Sequence, residues 1–196
     1  MKWVALVIVL GIALYTFLTL HFRKPGRPFQ PYQDTQDRAT VARLVNAGWQ
    51  KLTAEVERPA EAPRAADLPS PPARPAVAAS ALPAERNYAL LEKPRLAARI
   101  GAVSAPGELS AGAALRLFFT CTGSDLKQQL GDVLVLRKGS ELFLIPRFEH
   151  TPGSLLARST EFAAWIILPA GAIKPGHYHT TLVGAAGSKN WDMDVR

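Results

Sequence analysis

The stretch ALRLFFTCT, residues 114–122, decides the fold class of this chain. Apolar side chains recur at every second position from Leu115 to Cys121, while Arg116 and Thr120 stand at alternate positions. Successive side chains of a β-strand point to opposite faces, so this alternation predicts a strand with one buried face. A Gly-Ser-Asp turn signal follows directly and ends the predicted strand.

Strand patterns recur on both sides of this stretch, between turns rich in Gly and Pro. Residues 138–141 predict a hairpin turn, and almost no helical spacing interrupts the pattern. We expect about seven strands, the others at 96–103, 133–137, 142–148, 162–168, 177–183 and 190–195. Short strands at near-regular intervals favour a mainly β fold, an antiparallel β-sandwich over residues 84–196.

The region between Leu168 and Leu182 resembles the penultimate strand of immunoglobulin-like and fibronectin-type domains. In those domains a turn precedes a strand whose Tyr forms a tyrosine corner, and Tyr178 stands at that place. The resemblance implies an immunoglobulin-like sandwich with Tyr178 pointing inward. Thr180 stands where antibody-type domains carry their second Cys, so the inter-sheet disulfide is missing. Cys121 is the one cysteine of the chain, and we expect it to be buried.

Near the N-terminal end, residues 3–20 form an apolar run without a charged side chain. As a helix the run would be roughly 27 Å long, close to the thickness of a bilayer's hydrocarbon core. Bulky residues follow the run, and no Ala-x-Ala cleavage pattern is present. We therefore expect residues 1–22 to form an uncleaved single-pass membrane anchor, with the bilayer as one partner.

Two arguments about the orientation of this anchor conflict. The basic residues Arg23, Lys24 and Arg27 follow the run, and a simple count of charges places the C-terminal side in the cytoplasm. However, a very short N-terminal tail that carries Lys2 before an apolar run is typical of an export signal. We favour a location in the inner (plasma) membrane with the C-terminal domain extracytoplasmic, that is periplasmic.

Residues 23–57 form a juxtamembrane segment in which we expect an amphipathic helix over 34–57. Its apolar stripe recurs at helical spacing and comprises Val41, Val45, Trp49, Leu52 and Val56. A short amphipathic helix cannot bury its stripe alone, so we expect it to contact a partner. A membrane-protein partner or self-association is favoured, with docking on the chain's own β domain and the membrane surface as alternatives. The predicted contact residues are Val41, Val45, Trp49 and Leu52.

The composition changes in residues 58–83, where seven of 26 residues are Pro and nine are Ala. Such a segment cannot form a packed core. Pro-rich chain favours an extended form, and we expect a disordered tether that holds the last domain away from the membrane.

Few residues of the chain stand in patterns that are typical of catalytic, metal-binding or phosphate-binding sites. His177 and His179 share one face of a predicted strand and would give only two of the three or four ligands that a metal site needs. No nucleophile motif or phosphate-binding Gly-rich loop occurs, and the net charge of +7 is spread out rather than clustered with aromatics. We expect no catalytic residues, no cofactor, no metal and no nucleic-acid partner.

These features predict a non-enzymatic, membrane-anchored protein that binds other proteins of a membrane or envelope complex, in an accessory or scaffold role. One alternative is a tethered metal-handling module that uses His177 and His179. Another is a cell-wall- or carbohydrate-binding module that uses Trp165 and Trp191, although a core position is the simpler interpretation of both tryptophans.

Overall fold

The computed structural model describes residues 2–22, 31–60, 63–64, 67–69, 72–78, 95–151 and 155–196. The chain divides into two compact units, residues 1–38 and residues 39–196.

The first unit contains helix α1, Lys2–His21. Its apolar side chains are exposed, and the hydroxyls of Thr16 and Thr19 donate to the carbonyls of Ile12 and Tyr15 one turn earlier. By its length and composition α1 is able to cross a membrane. A second helix, α2 at Pro31–Asn46, starts in this unit and ends in the next.

The second unit is mainly β, as the period-two pattern predicts. The strands that the structure describes in it are β1 Gln50–Leu52, β2 Glu55–Glu57, β3 Ala76–Ala78, β4 Arg99–Ser104, β5 Glu108–Leu109, β6 Leu115–Thr122, β7 Gln128–Lys138, β8 Glu141–His150, β9 Glu161–Leu168, β10 Gly176–Leu182 and β11 Ser188–Val195. Among the described residues they form two sheets. The large sheet has the order β1-β7-β8-β10-β11-β3, with β5 also paired to β11, and the small sheet has the order β2-β9-β6-β4.

The sheets are antiparallel except at two places. Strand β10 pairs in parallel with β8, with Thr180 opposite Leu142, and β5 pairs in parallel with β11. The all-antiparallel prediction is therefore wrong for these two pairs. The turn signals indicate where strands end, but they do not show which strands pair with each other.

The inner faces of the two sheets enclose the main core. Leu117, Phe119 and Ile166 come from the small sheet, and Leu144 and Met193 come from the large sheet. Cys121 lies in the same core, where burial raises the pKa of its thiol to about 12. The predicted burial of this cysteine is confirmed, and its thiol stays protonated at neutral pH.

A second cluster covers part of the outer face of the large sheet. It joins the end of α2 and Trp49, three residues beyond the helix, to strands β7 and β8. The cluster comprises Leu44, Trp49, Leu134, Leu136, Phe143, Ile145 and Val183, with Leu96 packed against it. The large sheet therefore buries apolar residues on both faces in this region.

The predicted helix over residues 34–57 is wrong beyond Asn46. Helix α2 ends in a Schellman motif, in which the Trp49 N–H donates to the Leu44 carbonyl at 2.8 Å and the Gly48 N–H donates to the Val45 carbonyl at 2.9 Å. Gly48 has a φ of 80°, a left-handed conformation that favours glycine. Leu44 and Trp49 belong to the same apolar cluster, which is the hydrophobic contact that often accompanies this motif.

The sandwich also extends N-terminal of residue 84. Strand β1 pairs with β7, β2 with β9, and β3 with β11, so the chain enters the sheets before and within the Pro/Ala-rich segment. Within that segment the Ala73 N–H donates to the Ala105 carbonyl at 2.8 Å. The described parts of residues 58–83 therefore include paired backbone, which differs from the expected tether. The remainder of that prediction lies outside the described residues.

Candidate functional site

The structure separates the four predicted partner-contact residues into two pairs. Trp49 and Leu52 lie after α2 and are buried in the β domain, in the outer and the main core respectively. Val41 and Val45 lie on α2 and are 37% and 59% exposed. Only the helical pair is therefore available to another molecule.

Helix α2 is partly covered by the β domain because its residue Leu44 is buried there. The Leu44 side chain is fully buried in the cluster on the outer face of the large sheet, so α2 docks on its own domain at this point. Val41 and Val45 are four residues apart and share one side of the helix. We call these two residues the valine face. It lies next to the docked side, and Ala42 and Arg43 are exposed on the same helix outside it.

A second set of polar residues lies on the outer face of β10 and β11. His177 is directly opposite Asp194, and His179 is directly opposite Asp192. The His177 Nδ1 lies 2.8 Å from Asp194 Oδ1, and the His179 Nδ1 lies 2.9 Å from Asp192 Oδ1. The His177 Nε2 is 3.8 Å from Asp192 Oδ1, so this imidazole bridges two carboxylates. We call these four residues the His–Asp array.

The array points into solvent because Tyr178, between the histidines, points into the core. The predicted inward orientation of Tyr178 is therefore confirmed, and the two histidines share the opposite face of β10. The hydrogen bond that the His177 imidazole donates to Asp194 raises the pKa of His177, and the negative charges of Asp194 and Asp192 act in the same direction. Protonation of the His177 imidazole offsets part of the negative charge beside it, so the charge of the array depends on pH.

The array does not form a metal centre in this arrangement. No group of three or more His, Cys, Asp or Glu within the described ranges is placed to hold a metal ion. Both Nδ1 atoms already contact carboxylates. The chemistry that the geometry supports is therefore a change of surface charge with pH.

The remaining candidates from the sequence lie in apolar surroundings. The buried thiol of Cys121 lacks the thiolate character that a nucleophile needs. Trp191 belongs to the main core, and Trp165 is buried on the outer face of the small sheet beside Phe118, with the Arg116 guanidinium 5.2 Å from its ring centroid. Neither tryptophan offers an exposed ring to a sugar.

Two features escaped the sequence analysis although signals for them were present. The pair Gly48-Trp49 is a helix-end signal, because glycine commonly follows the last helical residues. The spacing His-x-His followed by Asp-x-Asp is suited to cross-strand pairing, but the register depends on the intervening turn.

Comparison with known proteins adds no relative. No family model, curated protein or solved structure matches the chain. Function has to be inferred from the residues of the chain itself.

Proposed function

We propose that this chain is a non-enzymatic, single-pass membrane protein whose sandwich and juxtamembrane helix bind another protein of a membrane or envelope complex. Its role is that of an accessory or scaffold subunit. The observation that carries the proposal is the exposed valine face on a helix whose adjacent side is already docked.

The membrane part of the proposal rests on α1. This helix has 20 residues, so it is about 30 Å long at 1.5 Å per residue. That length matches the hydrocarbon core of a bilayer. We place the β domain on the extracytoplasmic, periplasmic side, for which Lys2 directly before the apolar run is the supporting feature.

The partner part rests on the position of Val41 and Val45. Burial of Leu44 is sufficient to dock the helix on its own domain, so the docking does not account for the two valines that are exposed to water. Exposed apolar positions next to a fixed surface favour contact with another protein. Burial of Leu44 holds this part of α2 in place before a partner arrives. Preorganisation of this kind lowers the entropy cost of binding.

We also infer that the sandwich is of the immunoglobulin-like kind. The Tyr178 hydroxyl donates to the Lys174 carbonyl at 2.9 Å, which is the hydrogen bond of a tyrosine corner. In the small sheet, β4, β6 and β9 take the neighbouring places of strands A, B and E of such domains, and β2 takes the place of strand D. The parallel pairing of β10 with β8 departs from that plan.

Photo-crosslinking from the valine face tests the proposed function. A benzoyl-phenylalanine placed at position 45 of the full-length chain, in its native membrane, is expected to capture a different membrane protein at one defined mass. The substitution Val45→Asp should release that protein from a mild-detergent pull-down. Ala42→Asp adds the same charge at an exposed position of the same helix and should retain it.

Two results would contradict the proposal. A crosslink only between two copies of this chain would replace the partner by self-association. Equal loss with Val45→Asp and Ala42→Asp would mean that charge, rather than the valine face, controls the pull-down.

A further inference from the structure

Two loops at one end of the sandwich expose three leucines. Leu126 lies in the turn between β6 and β7, and Leu155 and Leu156 lie in the connection between β8 and β9. Their exposed fractions are 41%, 66% and 58%. We call these three residues the leucine tip.

The two loops are bonded to each other. The Ala157 N–H donates to the Leu126 carbonyl at 2.7 Å, and the Gly123 N–H donates to the Thr160 carbonyl at 2.7 Å. Leu126 is therefore held beside the loop segment that carries Leu155 and Leu156. A cluster of exposed leucines on a hydrogen-bonded support is typical of an interaction site rather than of scattered surface residues.

Exposed cations lie next to the leucines. Lys127 follows Leu126, Arg158 lies two residues after Leu156, and both side chains are exposed. Among the described residues neither cation has an ion-pair partner. The nearby Asp125 carboxylate accepts the Lys127 backbone N–H at 2.7 Å. Apolar side chains bordered by Lys and Arg are suited to the interface of an anionic bilayer.

The chain itself indicates the bilayer as the occupant. Residues 22–38, 17 in number, separate the end of α1 from the second unit. The β domain therefore follows the proposed anchor closely in the sequence of the same chain. An anchored domain meets the membrane at high effective concentration, and a weak contact is then sufficient.

We propose that the leucine tip inserts Leu126, Leu155 and Leu156 into the interfacial region of an anionic bilayer, with Lys127 and Arg158 on the lipid headgroups. This inference rests on the proposed membrane anchoring by α1. It gives the domain a second membrane contact in addition to the helix.

A fluorescent probe at the tip tests this proposal in the full-length protein. Leu155→Cys carries the dye NBD, while the native Cys121 is buried and does not react in the folded chain. The protein is placed in nanodiscs of phosphatidylcholine with about a third phosphatidylglycerol, with or without nitroxide-labelled lipid. We expect a blue-shifted emission that nitroxide lipid quenches. The same dye on Val77→Cys, an apolar position that is 77% exposed on β3, should show neither effect.

A charge-reversed version of the probe protein completes the test. Adding Lys127→Glu and Arg158→Glu should abolish the quenching at position 155, while near-ultraviolet circular dichroism stays unchanged because both side chains are exposed. Equal emission at positions 155 and 77, or quenching that survives the charge reversal, would overturn the proposal. Co-elution of the chain with the nanodisc reports on anchoring separately, so a failed tip contact is distinguishable from a failed anchor.

Discussion

Trp49 packs edge-on against Phe143, with ring centroids 5.7 Å apart and an interplanar angle of 77°. The Lys138 ammonium lies 5.5 Å from the centroid of the same indole. This contact holds Trp49, three residues beyond the end of α2, on the outer face of the large sheet. Trp49 therefore belongs to the core of its own domain, and the burial of its ring contributes to folding rather than to an interface.

Trp49→Ala should destabilise the β domain strongly. Loss of a buried Trp removes apolar contacts and leaves a cavity, which costs about 3–5 kcal/mol. Urea unfolding of the full-length protein in detergent, followed by the fluorescence of the other tryptophans, measures the change. Val45→Ala at the exposed valine face should change the free energy of unfolding by no more than about 0.5 kcal/mol. Equal stabilities of Trp49→Ala and the parent chain would contradict the burial of Trp49.

His177 should titrate above the ordinary pKa of 6.5, because Asp194 accepts its Nδ1 hydrogen and both carboxylates favour the imidazolium. A raised pKa in the folded state means that this pair stabilises the fold fully below about pH 6.5. The contribution is lost as the pH rises through the folded-state pKa of His177. Ring resonances of His177 followed by NMR across this pH range give the pKa directly.

Two carboxylate variants separate the causes of this shift. Asp194→Asn removes the hydrogen-bonded charge and should lower the pKa of His177 more than Asp192→Asn does, because Asp194 is the closer partner. An unchanged His177 titration in Asp194→Asn would refute the role of this pair.

Thr180→Val should stabilise the domain. The Thr180 hydroxyl is fully buried, and it has no hydrogen-bond partner among the described residues. A buried hydroxyl without a partner carries a desolvation cost, and Val has nearly the same shape, so a gain of about 1 kcal/mol is expected. Thermal or urea unfolding measures it. Thr181→Val on the opposite face of β10 is the control and should be within about 0.5 kcal/mol of the parent. A loss of stability in Thr180→Val would mean that the hydroxyl is satisfied.

Gly184→Ala should destabilise the domain by about 1–3 kcal/mol through overpacking. A Cβ at position 184 would lie 2.4 Å from the Gly187 carbonyl oxygen and 2.9 Å from Ile100 Cγ1, closer than real Cβ contacts allow. Gly187→Ala in the same turn is the matched control, because a Cβ there meets nothing within 4 Å. The control should be neutral or slightly more stable. If the two variants unfold at the same urea concentration, the close approach at Gly184 is wrong.

The strand prediction that was confirmed rests on the local alternation of apolar and polar residues. The stretch 114–122 forms β6 almost residue for residue, because its period of two is encoded within the strand itself. The end of α2 was missed because the apolar stripe continued at helical spacing through Trp49 and Leu52, and it outweighed the signal from Gly48. Helix α2 ends before Trp49 because Trp49 packs on the sheet, and no local sequence pattern shows this tertiary contact.

Non-local pairing accounts for the other differences. Strand β3 is a three-residue run of Ala-Val-Ala that pairs with residues more than 100 positions away, so composition alone indicated a tether. The sequence indicated that His177 and His179 share a face, but it did not indicate their pairing with Asp192 and Asp194. The cross-strand register of this pairing emerges from the hairpin that joins β10 to β11.

The position of β11 in the large sheet has a consequence for biosynthesis. This strand lies between β10 and β3 and also carries β5, so neither β3 nor β5 gains its partner until the ribosome has made residue 188 and those after it. In the same way, strand β2 has no partner until β9 has been made. Such long sequence separations slow folding, and early segments stay unpaired meanwhile. Helix α1 is made before every strand, so we expect the sandwich to be completed late, after this apolar helix has left the ribosome.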